Sequence, residues 1–171
     1  CDDIAVAGVL HDIGKLRVNR YVYSDESDDT LVVEQMKYVR MHSAYSRDIL
    51  RDENYPENII EAVYHHHENY DGSGYPDGLK GTDIPEMSRI LRTCDVFSAL
   101  ITNRSYRKAF DKKTAMAIMI DEVEDYDMEV FLAFQRVFHD DKFPEIRNLQ
   151  DMASEIQMEN LKVFEKEMLT F

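Results

Sequence analysis

Hydrophobic and polar residues along the chain recur with helical spacing, and nowhere in the strict alternation of a half-buried strand. Residues 3–10 are almost uniformly apolar and predict a buried helix, broken by Asp12, Gly14 and Lys15. Residues 16–30, rich in Asp and Ser, read as irregular. Thr30 can cap a long helix to about Arg51, with Leu31, Met36, Val39, Ala44 and Leu50 as a rough stripe and His42 inside it. Pro56, at a position proline tolerates, starts a helix from Glu57 to about His66. Residues 69–84 hold four glycines, one proline and three aspartates, and read as loop. Pro85 opens a helix through Asn103, where Met87, Ile90, Leu91, Cys94, Phe97 and Leu100 approximate a 3.6-residue period. Asp111 or Thr114 begins a helix to about Val123, Met128–His139 forms another, and Pro144 starts a last, acidic one. The predicted class is all-α, short loops joining packed helices.

Composition narrows this picture. A chain of 171 residues is long enough for one substantial core. No apolar run approaches the roughly 20 residues of a membrane span, and no signal peptide is visible. Cys1 and Cys94 fall in no metal spacing, which points to a reducing, cytoplasmic setting. The formal charge of −14 opposes binding to polymeric nucleic acid or anionic membrane. An anionic substrate would need positive charge gathered locally, from divalent metals, Lys15 and the cluster Arg104, Arg107 and Lys108. The chain opens with Cys, and the expectation is a piece of a longer protein, fused to an upstream sensory or receiver domain.

The candidate chemistry centres on His65-His66-His67-Glu68, at the end of the apolar run Ile59, Ile60, Ala62, Val63. Consecutive helical side chains diverge by about 100°. Adjacent histidines therefore serve two ions side by side, or one ion from a frayed end. His11-Asp12 repeats the adjacency, with Lys15 one turn later and directed toward the same site. Imidazole and carboxylate together suit zinc, manganese or iron, and a carboxylate can bridge two ions. Asp12 is the candidate bridge. Asp95 sits in a largely apolar helix, where a carboxylate is costly unless paired or metal-bound. His139 has no ligand-type neighbour at helical spacing and reads as structural.

In order and spacing, His11-Asp12-Ile13-Gly14-Lys15, His42, His66-His67-Glu68, Asp71-Gly72-Ser73-Gly74-Tyr75-Pro76, Asp95-Val96-Phe97 and Arg104-Ser105-Tyr106-Arg107 resemble the HD-GYP family, a branch of the HD-domain metal phosphohydrolases. The resemblance spans roughly residues 5–138. It implies an HD-domain-like helical bundle, with residues 1–140 as a catalytic domain lacking its N-terminal helix and 141–171 as an acidic helical extension. The implied activity is metal-dependent hydrolysis of cyclic di-GMP to linear pGpG, GMP or both. The implied cofactors are two or more divalent ions, iron or manganese before zinc, nickel or magnesium. One ion falls to His11, Asp12 and Asp95; a second falls to Asp12, His42, His66 and His67, which leaves His65 outside the ligand set. Asp12 and Lys15 are the catalytic candidates; Lys15, Tyr75, Arg104 and Arg107 are those for substrate. The family carries a further ligand on a helix upstream of the His-Asp pair. It also implies contacts with cyclase-domain proteins through the Gly-Tyr-Pro surface. Two other classes compete: a catalytically weak module that senses cyclic di-GMP or binds proteins, and an HD phosphohydrolase acting on another nucleotide.

Overall fold

The computed structural model describes residues 2–22, 39–103 and 107–139, with the backbone alone for 19–22. Its α-helices are α1 (Asp2–Leu10), α2 (Lys15–Val22), α3 (His42–Asp52), α4 (Glu57–Tyr64), α5 (Glu86–Ile101), α6 (Lys112–Asp121) and α7 (Met128–Phe138). Single 3₁₀ turns cover Gly81–Asp83 and Val123–Asp125. No β-strand occurs among the described residues, in keeping with the all-α expectation. None of the described helices is long and apolar enough to cross a membrane.

Local chemistry sets the helix starts. Pro56 and Pro85 stand just ahead of α4 and α5, and their carbonyls accept from Ile60 and Arg89. Asp111 caps α6 by accepting from the amides of Lys113 and Thr114, and Asp127 caps α7 through those of Glu129 and Val130.

Helix α4 is central, packed by α1, α3 and α5. Ala7, Leu50, Ile59, Ile60, Ala62, Val63 and Leu91 form one core. Phe97, Ala115, Met116, Met119, Tyr126 and Phe131 form a second, between α5, α6 and α7. The long helix α5 thus feeds Leu91 to one core and Phe97 to the other, with Asp95 between them. A groove of about 670 Å³ between α5 and α7, lined partly by Ile90, Phe97, Val130 and Phe134, includes none of the candidate ligands.

Four expectations change. Residues 15–22 form a helix rather than an irregular segment, because Asp and Ser become dense only from Ser24 onward and Val18 is buried. The helix expected from Thr30 to Arg51 is interrupted: Val39 and Arg40 are helical, Met41 is a turn, and His42 begins α3. The helix expected to reach His66 ends at Tyr64, so the three histidines occupy a turn. Helix α1 is not covered on every side, since Val9 is 82% exposed. The expected acidic extension, and the part of the long helix before Val39, lie outside the described residues.

Candidate metal centre

Four segments converge on one site. The turn after α1 supplies His11 and Asp12, the start of α3 supplies His42, the turn after α4 supplies His66 and His67, and the middle of α5 supplies Asp95. Two sets of side chains are close enough to hold an ion each: His42, His66 and His67, and His11, Asp12 and His66. They share His66. Both neighbours of the pair belong to the first set, because the backbone has left the helix and the 100° divergence no longer applies.

Each of three rings is turned by the backbone behind it. His11 Nδ1 lies 2.7 Å from the carbonyl of Gly8, His66 Nδ1 lies 2.5 Å from that of Val63, and His42 Nδ1 meets that of Val39. In all three the carbonyl belongs to the residue three positions earlier. At His42 and His66 an N–H donated there fixes the tautomer and leaves Nε2 as a lone pair facing the site, as a metal-binding imidazole requires; His11 Nε2 faces two carboxylates and gains that lone pair when a metal ion displaces its proton. The Nε2 atoms of His42 and His67 are 3.1 Å apart, and those of His42 and His66 are 3.4 Å apart. Burial pushes the His66 pKa down to about 4 and lowers those of His42 and His67 as well. Three largely neutral rings whose ring nitrogens lie within 4.8 Å of one another can converge on one cation.

Asp12 joins the two sets. Its Oδ2 lies 3.3 Å from His11 Nε2 and 2.5 Å from Lys15 Nζ, and its Oδ1 lies 3.3 Å from His42 Nε2. That Oδ1 is buried and has no hydrogen bond. Asp95 Oδ1 is 3.6 Å from His11 Nε2. Burial alone would lower the His11 pKa, but the two carboxylates outweigh it and push it up to about 10. The same proximity holds the Asp12 and Asp95 carboxyls below their ordinary value despite burial. The carboxylates draw positive charge to this spot, and the orphaned oxygen, the converging lone pairs and the N/O donor set all fit divalent metal ions.

Sequence reasoning missed the groups that hold the ligands in place. Ser46 Oγ accepts from the amide of Gly14 at 2.8 Å and donates to the carbonyl of His11 at 2.9 Å. Gly14 packs so closely that a Cβ there would stand 2.1 Å from the His42 carbonyl. The His-Asp turn is therefore pressed onto the start of α3. Glu68, 2% exposed, accepts from the amides of Asp77, Gly78 and Leu79 at 2.8–3.1 Å. The amide of Tyr75 donates to the carbonyl of His67 at 3.1 Å. A Cβ on Gly74 would meet the Asn69 amide nitrogen at 2.2 Å. The Gly-Tyr-Pro loop is thus folded back on the histidine pair, and the Tyr75 ring stacks on His67 at 4.8 Å. His65 lies outside both ligand sets and faces Glu61 at 3.2 Å.

The basic groups fall differently from expectation. Arg104 lies outside the described residues. Arg107 donates to the carbonyls of Ala99, Leu100 and Lys108 and stacks over Phe110, so it closes the C-terminal end of α5. Two arginines not singled out by sequence sit beside the ligands instead. The Arg40 guanidinium lies 5.3 Å from the Tyr75 ring centre. Arg92 donates to Asn69 Oδ1 at 3.0 Å.

The helical fold and this His-Asp cluster define an HD-domain protein. A family model described as the HD domain matches residues 1–130, and the chain belongs to that family, in the HD-GYP branch whose motif order it carries. Over 134 residues it is 35% identical to a 3'3'-cGAMP-specific phosphodiesterase of Vibrio cholerae, covering 78% of this chain and 29% of that protein. Over 133 residues it is 32% identical to a cyclic di-GMP phosphodiesterase of Pseudomonas aeruginosa, covering 77% and 32%. The chain therefore spans about a third of the length of these curated relatives. A crystal structure of a cyclic GMP-AMP specific phosphodiesterase of V. cholerae superposes with a TM-score of 0.60 at 17% identity, over 82% of this chain and 39% of that one, a likeness of fold.

Proposed function

We propose that this domain hydrolyses a phosphodiester bond of cyclic di-GMP, giving linear pGpG, GMP or both. The observation that carries the reading is Asp12, whose two oxygens face different imidazoles and one of which is buried without a hydrogen bond. His42, His66 and His67 would hold one divalent ion and His11 and Asp12 another, with Asp95 beside His11; His66, with one free lone pair, would serve only one of them. Iron or manganese suits this donor set, with zinc, nickel and magnesium as alternatives. Bound divalent ions supply Lewis-acid activation of water and of the phosphoryl group.

The chain's own residues position the rest. Lys15 is half-exposed beside Asp12, where its ammonium can meet a phosphoryl oxygen. Tyr75 offers an aromatic face beside His67 for a base. Arg104 is assigned to a phosphate. Arg107 is assigned to substrate with it, its guanidinium meeting the carbonyls of Leu100 and Ala99 in the structure. Contacts with cyclase-domain proteins through the Gly-Tyr-Pro surface, and fusion to a sensory or receiver domain, belong to the same proposal.

A second substrate, 3',3'-cGAMP, is favoured by the names of two V. cholerae relatives. The test offers both cyclic dinucleotides to manganese-loaded full-length protein and resolves products by chromatography. Linear dinucleotide or mononucleotide from wild type, and none from His66→Ala, is expected. No product from either substrate would defeat the proposal.

A further inference from the structure

Two guanidinium groups stand near the Gly-Tyr-Pro loop, Arg40 over its tyrosine and Arg92 bonded to Asn69 at its start, and neither belongs to the motifs that define the metal centre. Arg40 precedes His42 by two residues, is exposed, and lies 5.3 Å from the Tyr75 ring centre. No carboxylate among the described residues is within ion-pair distance of it. Arg92 precedes Asp95 by three residues on α5, so the two share a helix face. Its Nε donates to Asn69, two residues past His67, and one terminal nitrogen stands 4.0 Å from Asp125. Its other terminal nitrogen has no described partner. The charge of Arg92 is felt at both His67 and Tyr75, and that of Arg40 at Tyr75.

From two separate segments, then, cations approach the Gly-Tyr-Pro loop at the edge of the His-Asp cluster, in a chain of net charge −14. Repelling anions everywhere else, such a chain can take a doubly anionic ligand only where positive charge is concentrated. The metal centre accounts for one phosphate. A cyclic dinucleotide carries a second on the far side of its ring, which also needs a charged partner. We propose that Arg40 and Arg92 bind the phosphate of the cyclic dinucleotide that is not being hydrolysed, with Tyr75 as the surface between that phosphate and the metal cluster. Guanidinium suits this role through its fork of donors, and Arg40 is held ready by its contact with the tyrosine ring. The inference rests on the phosphodiesterase reading above.

Manganese-loaded full-length protein is compared with Arg40→Ala, Arg40→Lys, Arg92→Gln and the double variant Arg40→Ala/Arg92→Gln. Arg92→Gln keeps a donor for Asn69 while removing the charge, which separates loss of charge from loosening of the loop. Three quantities are read: KM for cyclic di-GMP, Ki for GMP as a competitor with a single phosphate, and metal per chain. Removing one charge-assisted phosphate contact raises KM roughly ten- to hundredfold. The larger part of the loss is expected in KM rather than kcat, metal is retained, and Arg40→Lys recovers part of the affinity. The ratio of GMP Ki to cyclic di-GMP KM should fall about tenfold or more in the double variant. Unchanged KM in the variants, loss of metal in step with activity, or equal weakening toward GMP and cyclic di-GMP each overturns this inference. Wild type that neither binds nor cleaves a cyclic dinucleotide overturns the phosphodiesterase reading first, and this inference with it.

Discussion

Ser46 receives a hydrogen bond from Gly14 and gives one to His11, so a single hydroxyl ties the His-Asp turn to the helix that begins at His42. Supports of this kind orient ligands without touching the ion, and their loss costs roughly 10–100-fold in metal affinity or activity. Ser46→Ala should show such a loss in a metal titration while remaining folded. Glu68→Ala is expected to be more damaging to the fold, because three loop amides lose their acceptor. Asp77 and Gly78 are exposed, so water takes up part of the loss, and a fall of about 1–3 kcal/mol should appear in chemical denaturation. Asp12→Ala should remove more metal than any single histidine substitution, by elemental analysis, since Asp12 faces both ligand sets. The ligands themselves were legible because they are neighbours in sequence or carry a residue type rarely buried without cause. Ser46 was not: a serine in a helix is ordinary until the chain brings Gly14, 32 residues away, against it. Arg107 drew attention for its charge, yet its donors meet backbone carbonyls, and no local pattern distinguishes that use from phosphate binding.

The helices were legible where a breaker or a cap marks them. Pro56, Pro85, Asp111 and Asp127 stand where α4, α5, α6 and α7 begin. Ends without such punctuation are not legible: the sequence of α2 carries no cap and reads as irregular, and the break at Met41 is hidden because the apolar stripe continues across it. That break matters, for it puts His42 in the first turn of α3, where its Nδ1 reaches Val39. Asp127 does two things, capping α7 and pairing with Arg89 of α5. Burial would raise its pKa, but the Arg89 guanidinium prevails and holds it below the ordinary 3.8. A depressed carboxylate stabilises above its unfolded pKa, and that contribution fades as pH falls through the folded one. Asp127→Ala should therefore cost about 2–4 kcal/mol at pH 7, as a lost cap and an unpaired, largely buried arginine. The gap between variant and wild type should narrow below pH 4.

Two cores share α5, and the His-Asp cluster lies where that helix passes from one to the other, with Asp95 between Leu91 and Phe97. The all-α class and the convergence of distant His and Asp residues follow from apolar period and motif order. The placement of positive charge does not, because it depends on which arginines face the cluster once the helices pack. A net charge of −14 makes that placement decisive for an anionic substrate. The central claim is that the His-Asp cluster is the working centre of a metal-dependent cyclic dinucleotide phosphodiesterase. Its most direct test is cyclic di-GMP turnover by the full-length protein, first stripped with chelator and then titrated with manganese or ferrous iron under anaerobic conditions. The account predicts no turnover when stripped, and recovery that saturates at two or more ions per chain in wild type. Turnover that survives complete removal of metal, or a fully loaded protein that leaves cyclic di-GMP intact, would contradict it.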